Sequence, residues 1–463
     1  MKLLLIETGN AREDPFAQCW YAKDSKRFLV PLLALPVVAA MTPADFEIKI
    51  IDEKLRDIDF DEQCDLVCFS FKTKDAFRTY RYADRFRERG VPVILGGVHA
   101  SLVPEEAAQH ADAVVAGEAE SVWPKVIEDF RAGNLQQIYR AGKGTALETA
   151  PVPRFDLLEN DRYMVHAIQT SRGCLVGCEF CPIQEMFGGK SRNKPVERVM
   201  REIEAVRSID PNKDIFFIDE MFCGGNRGYQ KELLLELRRE AVDFYCISDF
   251  KVINPQYIWD LASAGCRKLS INMPGTCLPQ ELKAVKAIQR LGIDVWGFFM
   301  FGFSFHTKDV FKKVVDFVRE SGMKNLTITV MSPFPNTPME RRISARQGVI
   351  TRDWALYDQC HVTCVPERMS AAELEEGFLW AWKELENHFE LNERDLAGPS
   401  RLTRSIIRNI GALTLMFEKG VDKLLGRKDE PVDLLKIIGA PKAEVSITTH
   451  NSMSTEARPR NDK

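Results

Sequence analysis

The sequence predicts an α/β protein with a doubly wound N-terminal domain, a partial (β/α)6 barrel after it and a mostly helical C-terminal region. Three observations predict this class: two series in which apolar strands alternate with amphipathic helices, a stretch of turn formers between the series, and a helical pattern after residue 345. Uninterrupted apolar strands that alternate with helices are typical of parallel sheets covered by helices.

The first series covers residues 1–140 and contains the strands KLLLIE, FEIKIID, DLVCFSF, VPVILGG and ADAVVAG. Ligands of doubly wound sheets bind at the carboxyl ends of the strands. The Gly96–Gly97 pair at one of these ends allows the backbone to approach a ligand closely, where a Cβ atom would clash. The candidate ligand-binding residues at the strand ends are Ser70, Gly96, Gly97, Gly117 and Glu118.

Residues 141–165 carry turn formers without a clear period and are predicted to be a linker. The second series, residues 166–345, contains the strands HAIQTS, DIFFID, VDFYCIS, CRKLSIN, IDVWGFFMFG and NLTITVMS. Six consecutive βα units predict a barrel or partial barrel whose active site lies at the carboxyl ends of the strands.

Residues 346–440 are predicted to be mostly helical, and the polar tail 441–463 is predicted to be disordered. The segment 401–428 is basic and amphipathic. A helix packed on the barrel is the preferred interpretation of this segment, and a helix at a membrane surface, giving peripheral membrane contact, is the alternative.

Composition excludes several classes of protein. The net charge of −4 gives no reason to expect nucleic-acid binding. The apolar stretch 29–41 is too short for a transmembrane helix and contains two prolines. The N-terminus lacks the pattern of a secretory signal, and twelve cysteines in 463 residues do not form a disulfide scaffold, so a cytoplasmic protein is predicted.

Three cysteines, Cys174, Cys178 and Cys181, lie together in CLVGCEFC, directly after the first strand of the second series. Three thiolates leave one metal position open, whereas a saturated four-iron cluster or a structural zinc site takes four ligands. A zinc site completed by a distant ligand, or a patch of reactive thiols, is the alternative. The position at the barrel mouth and the aromatic Phe180 favour an iron–sulfur cluster.

This segment resembles the signature of the radical S-adenosylmethionine (SAM) superfamily. The resemblance implies that the three cysteines hold a [4Fe-4S] cluster whose fourth iron is chelated by the amino and carboxylate groups of SAM. It further implies that one electron, from a donor such as flavodoxin or ferredoxin, cleaves SAM to methionine and a 5′-deoxyadenosyl radical that abstracts a hydrogen atom.

The order of domains over residues 1–390 resembles the cobalamin-dependent radical SAM enzymes, which include hopanoid methylases, bacteriochlorophyll side-chain methylases and anaerobic oxidative cyclases. The resemblance implies that Asp219 and Glu220 approach SAM and that Gly297 and Gly302 lie near its adenine. A helix-capping pair is the alternative for the two carboxylates, and core packing is the alternative for the strand WGFFMFGF.

Cobalamin is the ligand that this resemblance implies for the first domain, with its nucleotide tail against Ser70, Gly96, Gly97, Gly117 and Glu118. A domain kept as a scaffold, or one holding another ligand, is the alternative. Because residues 1–98 contain no histidine, a cobalt-ligating histidine is not predicted in the first loop.

The function predicted on this basis is methylation of an unactivated carbon in a small-molecule, lipid or tetrapyrrole substrate. A rearrangement or oxidative cyclisation with the same cofactors is the first alternative. A non-catalytic iron–sulfur or corrinoid sensor is the second.

Overall fold

The computed structural model describes residues 1–9, 21–22, 27–142, 144 and 147–386. Within these residues the strands are β1 Lys2–Glu7, β2 Tyr21–Ala22, β3 Arg27–Phe28, β4 Glu47–Asp52, β5 Leu66–Ser70, β6 Val93–Gly96, β7 Ala113–Ala116, β8 Ile138–Arg140, β9 His166–Ile168, β10 Ser171–Arg172, β11 Arg192–Asn193, β12 Ile215–Phe217, β13 Phe244–Asp249, β14 Cys266–Met273, β15 Asp294–Phe301 and β16 Asn325–Val330. The helices are α1 Ala34–Met41, α2 Ala76–Glu88, α3 Val98–Leu102, α4 Pro104–Ala107, α5 Trp123–Arg131, α6 Ile183–Phe187, α7 Val196–Ile209, α8 Arg227–Arg239, α9 Pro255–Ala264, α10 Pro279–Arg290, α11 Asp309–Ser321, α12 Pro338–Ala345 and α13 Ala371–Glu384.

The first sheet is parallel and has the strand order β4-β1-β5-β6-β7-β8, which confirms the predicted doubly wound fold. Both faces are covered: one apolar layer contains Phe69 and Phe86, and the opposite layer contains Trp123 and Val126. Burial on both faces explains why β1 is apolar without alternation. Strand β8 was missed by the sequence prediction because its three residues are too few to show a period.

The second sheet is also parallel, with the order β16-β15-β14-β13-β12-β9. In the described residues its outer strands, β9 and β16, do not pair with each other, so the barrel is partial, as predicted. The side chains of Phe216, Tyr245 and Trp296 form a buried floor inside the curved sheet. Leu29, from the segment that follows β3, joins this floor.

Local sequence signals explain where the helices begin and end. Helix α9 begins after Asn254, whose side chain accepts a hydrogen bond from the N–H of Tyr257 (3.0 Å), and has proline at its first position. It ends at Gly265, whose φ of 110° lies in the left-handed region that favours glycine. Helix α13 begins with a capping box between Ser370 and Glu373.

The C-terminal part of the described chain is less helical than predicted. Residues 346–370 are irregular apart from a short turn, Trp354–Leu356, and α13 is the helix found within the predicted segment 370–389. Trp354 packs against the first sheet, and its Nε1–H donates to Glu106 (2.9 Å). The segment 401–428 and the tail 441–463 lie outside the described residues.

Among the described helices, none has both the length and the apolar character needed to cross a membrane.

Candidate functional site

The three clustered cysteines lie on a loop, residues 173–191, which we call the cysteine loop. A two-stranded antiparallel ribbon of β10 and β11 closes its base, with Ser171 opposite Asn193 and Arg172 opposite Arg192. The loop follows β9, so it lies at the carboxyl end of the barrel strands, where barrel active sites form.

The thiols of Cys174, Cys178 and Cys181 are free and partly buried. The N–H of Cys181 donates to the carbonyl oxygen of Cys178 (3.1 Å), which folds this part of the loop into a turn. Burial raises the pKa of all three thiols, that of Cys181 to about 11. Within the described ranges, no three His, Cys, Asp or Glu side chains are drawn together as in a formed metal site. The cluster ligands therefore stay a prediction, which the donor chemistry of three thiols on one loop fits.

Asp219, at the carboxyl end of β12, is fully buried and anchors the start of the cysteine loop. It accepts hydrogen bonds from the N–H groups of Thr170 (2.6 Å), Ser171 (3.1 Å) and Cys223 (3.0 Å), and from both hydroxyls of Thr170 and Ser171. Burial raises its pKa, while these hydrogen bonds oppose the rise. The structure thus shows Asp219 as an anchor of the loop and not as a helix cap, because Asn226 caps the helix that follows. A contact of Asp219 with SAM stays a prediction.

Glu220 differs from its neighbour because one of its carboxylate oxygens is buried without a hydrogen-bond partner among the described residues. Burial, together with the charge of Asp219, raises the pKa of Glu220 to about 7. The Glu220 carboxylate also raises the pKa of the Cys174 thiol, so it lies near the cysteine loop. A buried, unpartnered carboxylate oxygen beside this loop fits the amino group of SAM.

The two predicted adenine glycines lie in different environments. A Cβ atom on Gly297 would approach Phe299 to 2.8 Å and the Met323 sulfur to 3.1 Å, so packing on the helix side of the sheet already requires glycine there. Gly302 follows the end of β15, at the barrel mouth, with a φ of 100°. Contacts of either residue with SAM stay predictions.

In the first domain, the carboxyl ends of four strands form one row, Asp52–Glu7–Ser70–Gly96, because these residues are in register across β4, β1, β5 and β6. Burial raises the pKa of Glu7 to about 7, and the nearby cations Lys72 and Lys54 oppose this. The row is the edge at which a ligand of a doubly wound sheet binds.

Gly96 and Gly97 are not equivalent, which changes the interpretation of the glycine pair. A Cβ atom on Gly97 would lie 2.6 Å from the N and 2.8 Å from the O of Phe71, and Gly97 has a φ of 92°. A Cβ atom on Gly96 would find its nearest neighbours at 3.7 and 3.8 Å. The fold itself therefore requires Gly97. Gly117 likewise has a φ of 97°, and its N–H donates to Ser101 Oγ (2.9 Å).

We expect Gly97→Val to disrupt the first domain, whereas Gly96→Val leaves the fold intact and blocks the ligand row. The measurements are circular dichroism and thermal unfolding for the fold, and visible absorption after gel filtration for bound corrinoid. A folded Gly96→Val protein that retains corrinoid as well as the wild type does would exclude this edge of the sheet as the binding site.

Glu118, predicted to contact cobalamin, has a side chain that is 0% exposed and bonded to the barrel domain. Its carboxylate accepts from Arg172 Nη1 (3.0 Å), from Arg192 Nη1 (3.1 Å) and from Arg192 Nη2 (2.7 Å). Arg172 and Arg192 were not predicted as site residues, because neither lies in a recognised motif. A contact of Glu118 with cobalamin stays a prediction, but its main partners are these guanidinium groups.

Comparisons with known proteins agree with this architecture. The model of the B12 binding domain matches residues 26–127, and the model of the radical SAM superfamily matches residues 168–346. The chain therefore combines a B12 binding domain with a radical SAM domain.

Two relatives and one solved structure illustrate this family. Bacteriochlorophyllide d C-12(1)-methyltransferase of Chlorobaculum tepidum is 26% identical over 80% of this chain and 86% of its own length. Hopanoid C-2 methylase of Rhodopseudomonas palustris is 23% identical over 73% of this chain and 68% of its own length. The radical SAM methyltransferase TsrM from Kitasatospora setae, solved with cobalamin and a [4Fe-4S] cluster bound, has a TM-score of 0.57 at 15% identity, covering 81% of each chain. This radical SAM enzyme therefore shares the fold of TsrM.

Proposed function

We propose that the chain is a C-methyltransferase that uses a [4Fe-4S] cluster, SAM and cobalamin to methylate an unactivated carbon. The observation that carries the proposal is that the carboxyl ends of the two sheets face each other. Glu118, after β7, bonds to Arg172 at the base of the cysteine loop, and Asn336, after β16, donates to the carbonyl oxygen of Leu102 in α3. These contacts support the proposal that the corrinoid at the sheet edge and the cluster at the barrel mouth share one cleft.

Each part of this cleft has a role in the proposal. Cys174, Cys178 and Cys181 hold the cluster, and Glu220 binds the SAM amino group. The Asp52–Glu7–Ser70–Gly96 row lies against the corrinoid. When bound, the cluster would supply the electron that cleaves SAM, and the corrinoid would supply the methyl group that is transferred. The chain orients them and excludes water from the space between the domains.

The lining of the barrel supports an apolar substrate. Above the floor, the partly buried side chains of Ile218, Ile247 and Phe298 line the inner face of the sheet. Asn272, between Asp249 and Phe298 in register, is an exposed polar residue in this region. Polar side chains of the neighbouring strands, Ser270 and Thr327, share this face. A combination of apolar walls and a small number of polar groups is typical of small-molecule sites. The relatives act on a bacteriochlorophyllide and a hopanoid, so we propose a lipid or tetrapyrrole substrate.

We expect Glu220→Gln to weaken SAM binding by about tenfold, because glutamine keeps an acceptor oxygen but loses the negative charge that strengthens the bond to the SAM amino group. Iron content stays at the wild-type value, since Glu220 is not a cluster ligand. Equilibrium dialysis of anaerobically reconstituted protein with SAM measures the effect. Glu236→Gln, on the exposed pair with Arg239 in α8, is the matched control. An unchanged SAM affinity in Glu220→Gln would remove this residue from the site.

The activity is tested by anaerobic reconstitution with iron, sulfide and cobalamin, followed by incubation with SAM and a low-potential reductant. Formation of 5′-deoxyadenosine would show that the protein is an enzyme and not a sensor. Formation of S-adenosylhomocysteine as well would favour methylation over rearrangement or cyclisation. The same proposal includes a protein electron donor for the cluster, such as flavodoxin or ferredoxin. It also includes a cytoplasmic location for the chain.

A further inference from the structure

Four charged residues form a buried cluster between the two domains, which we call the interdomain ion cluster: Glu118, Glu120, Arg172 and Arg192. Besides the bonds from Glu118 to both arginines, Arg172 Nη1 lies 2.8 Å from Glu120 Oε1. The side chains of Glu118, Glu120, Arg172 and Arg192 are 0%, 9%, 11% and 19% exposed. Ion pairs this deeply buried are screened little by solvent.

The two arginines occupy a special place in the barrel domain. They face each other in the β10–β11 ribbon, which closes the base of the cysteine loop, and Arg172 lies two positions before Cys174. Arg172 is also held by Gln169, whose Oε1 accepts from its Nε and Nη2 (both 3.2 Å). One carboxylate of the first domain therefore holds both strands from which the cysteine loop emerges.

Glu118 itself is fixed at the ligand-binding edge of the first sheet. It follows Gly117 at the carboxyl end of β7, and the N–H of Gly144 contacts its Oε1 (3.4 Å). The carboxylate thus connects the edge assigned to the corrinoid with the loop assigned to the cluster.

We infer that Glu118 is a positioning residue that sets the distance between the corrinoid and the SAM bound at the cysteine loop. This inference rests on the proposed function. SAM cleavage needs only the barrel domain, whereas methyl transfer from SAM to the corrinoid needs both domains in place. A misplacement of about 1 Å costs about a hundredfold in rate. Loss of the Glu118 charge therefore reduces methyl transfer selectively.

The test uses Glu118→Gln in the full chain, reconstituted with iron and sulfide, with SAM, hydroxocobalamin and titanium(III) citrate as probes. Two products come from SAM in this mixture. 5′-Deoxyadenosine would form with methionine, after one electron from titanium(III) breaks a carbon–sulfur bond and the adenosyl fragment takes a hydrogen atom from the protein or the buffer. Two further titanium(III) ions would reduce hydroxocobalamin to its cobalt(I) form. S-adenosylhomocysteine would then form when the methyl–sulfur bond breaks and leaves its electron pair on sulfur, while the electron pair of cobalt(I) makes the new bond to the methyl group.

The expected result is a fall of tenfold or more in the ratio of S-adenosylhomocysteine to 5′-deoxyadenosine, with 5′-deoxyadenosine formation, iron content and bound corrinoid at wild-type values. Asp45→Asn, which breaks the exposed pair with Arg131 inside the first domain, is the control and leaves the ratio unchanged. An unchanged ratio in Glu118→Gln overturns the inference.

Hydrogen exchange of the cofactor-free protein gives a readout independent of activity. In Glu118→Gln, amide exchange rises severalfold in residues 171–193 and stays at the wild-type rate in β5 and β6. Equal increases throughout the first sheet show general destabilisation and overturn the positioning role. If the wild type makes neither SAM product, the proposed function fails, while this exchange pattern still decides whether Glu118 holds the loop.

If Glu118→Gln does not fold, the double variant Glu118→Gln/Arg192→Gln replaces one charge of each sign by a neutral amide and keeps the pair between Arg172 and Glu120. The inference predicts the same fall in product ratio for this variant. A wild-type ratio in the double variant contradicts it.

Discussion

Replacing Cys174, Cys178 or Cys181 with alanine, one at a time, is expected to abolish SAM cleavage. A cluster that leaves one iron open for SAM has only three protein ligands, so each loss leaves two thiolates. Removing a residue that only supports a metal ligand lowers metal affinity or activity by about 10- to 100-fold. Removing a direct ligand is therefore expected to lower SAM cleavage by more than about a hundredfold. Iron falls from about four per chain to near zero.

Iron analysis and chromatographic detection of 5′-deoxyadenosine measure this effect. The matched control is Cys277→Ala, because Cys277 also follows a barrel strand at its carboxyl end but lies outside the cysteine loop. Wild-type cleavage in any of the three single variants would exclude that cysteine as a ligand, and activity in the triple variant would exclude radical SAM chemistry.

The second large effect is expected for Asp219→Asn. Asp219 Oδ1 accepts from the N–H groups of Thr170 and Ser171, and Oδ2 accepts from the N–H of Cys223. An asparagine has one carbonyl oxygen, so its NH2 group faces a backbone N–H in either orientation. The unsatisfied donor, together with the lost charge-assisted bonds, is expected to destabilise the barrel domain by about 2–3 kcal/mol.

Urea unfolding followed by circular dichroism measures this change as a lower midpoint. Asp260→Asn is the control, since Asp260 accepts from the Gln256 side chain (2.8 Å), whose amide can rotate to offer its oxygen instead. Equal midpoints for Asp219→Asn and the wild type would show that Asp219 does not anchor the loop.

Most of the fold was predictable because parallel strands buried on both faces leave uninterrupted apolar runs in the sequence, as in β1, β5 and β13. The position of the cysteine loop was also predictable, because the three cysteines directly follow a barrel strand, and the loops after these strands lie at the barrel mouth. The sequence could not distinguish the roles of Asp219 and Glu220. Asp219 is fully buried and hydrogen-bonded, whereas one oxygen of Glu220 has no hydrogen-bond partner among the described residues, and this difference depends on the packing around β12.

The interdomain contacts were not predictable. Glu118 and Arg172 are 54 positions apart, and Glu118 and Arg192 are 74 positions apart, so no local pattern joins them. At Gly97 the sequence correctly indicated a close approach, but the group that approaches is the protein backbone and not a ligand. The glycine is needed because the backbone of Phe71 lies against it, which a sequence without tertiary structure does not reveal.

We propose that one cleft of this protein holds both a SAM-cleaving cluster and a methyl-carrying corrinoid. The most direct measurement is the product balance of the wild-type protein, reconstituted anaerobically with iron, sulfide and cobalamin and supplied with SAM and titanium(III) citrate. This arrangement predicts 5′-deoxyadenosine and S-adenosylhomocysteine from the same preparation, and it predicts that S-adenosylhomocysteine forms only when cobalamin is added. A preparation that holds about four irons and forms neither product would contradict it.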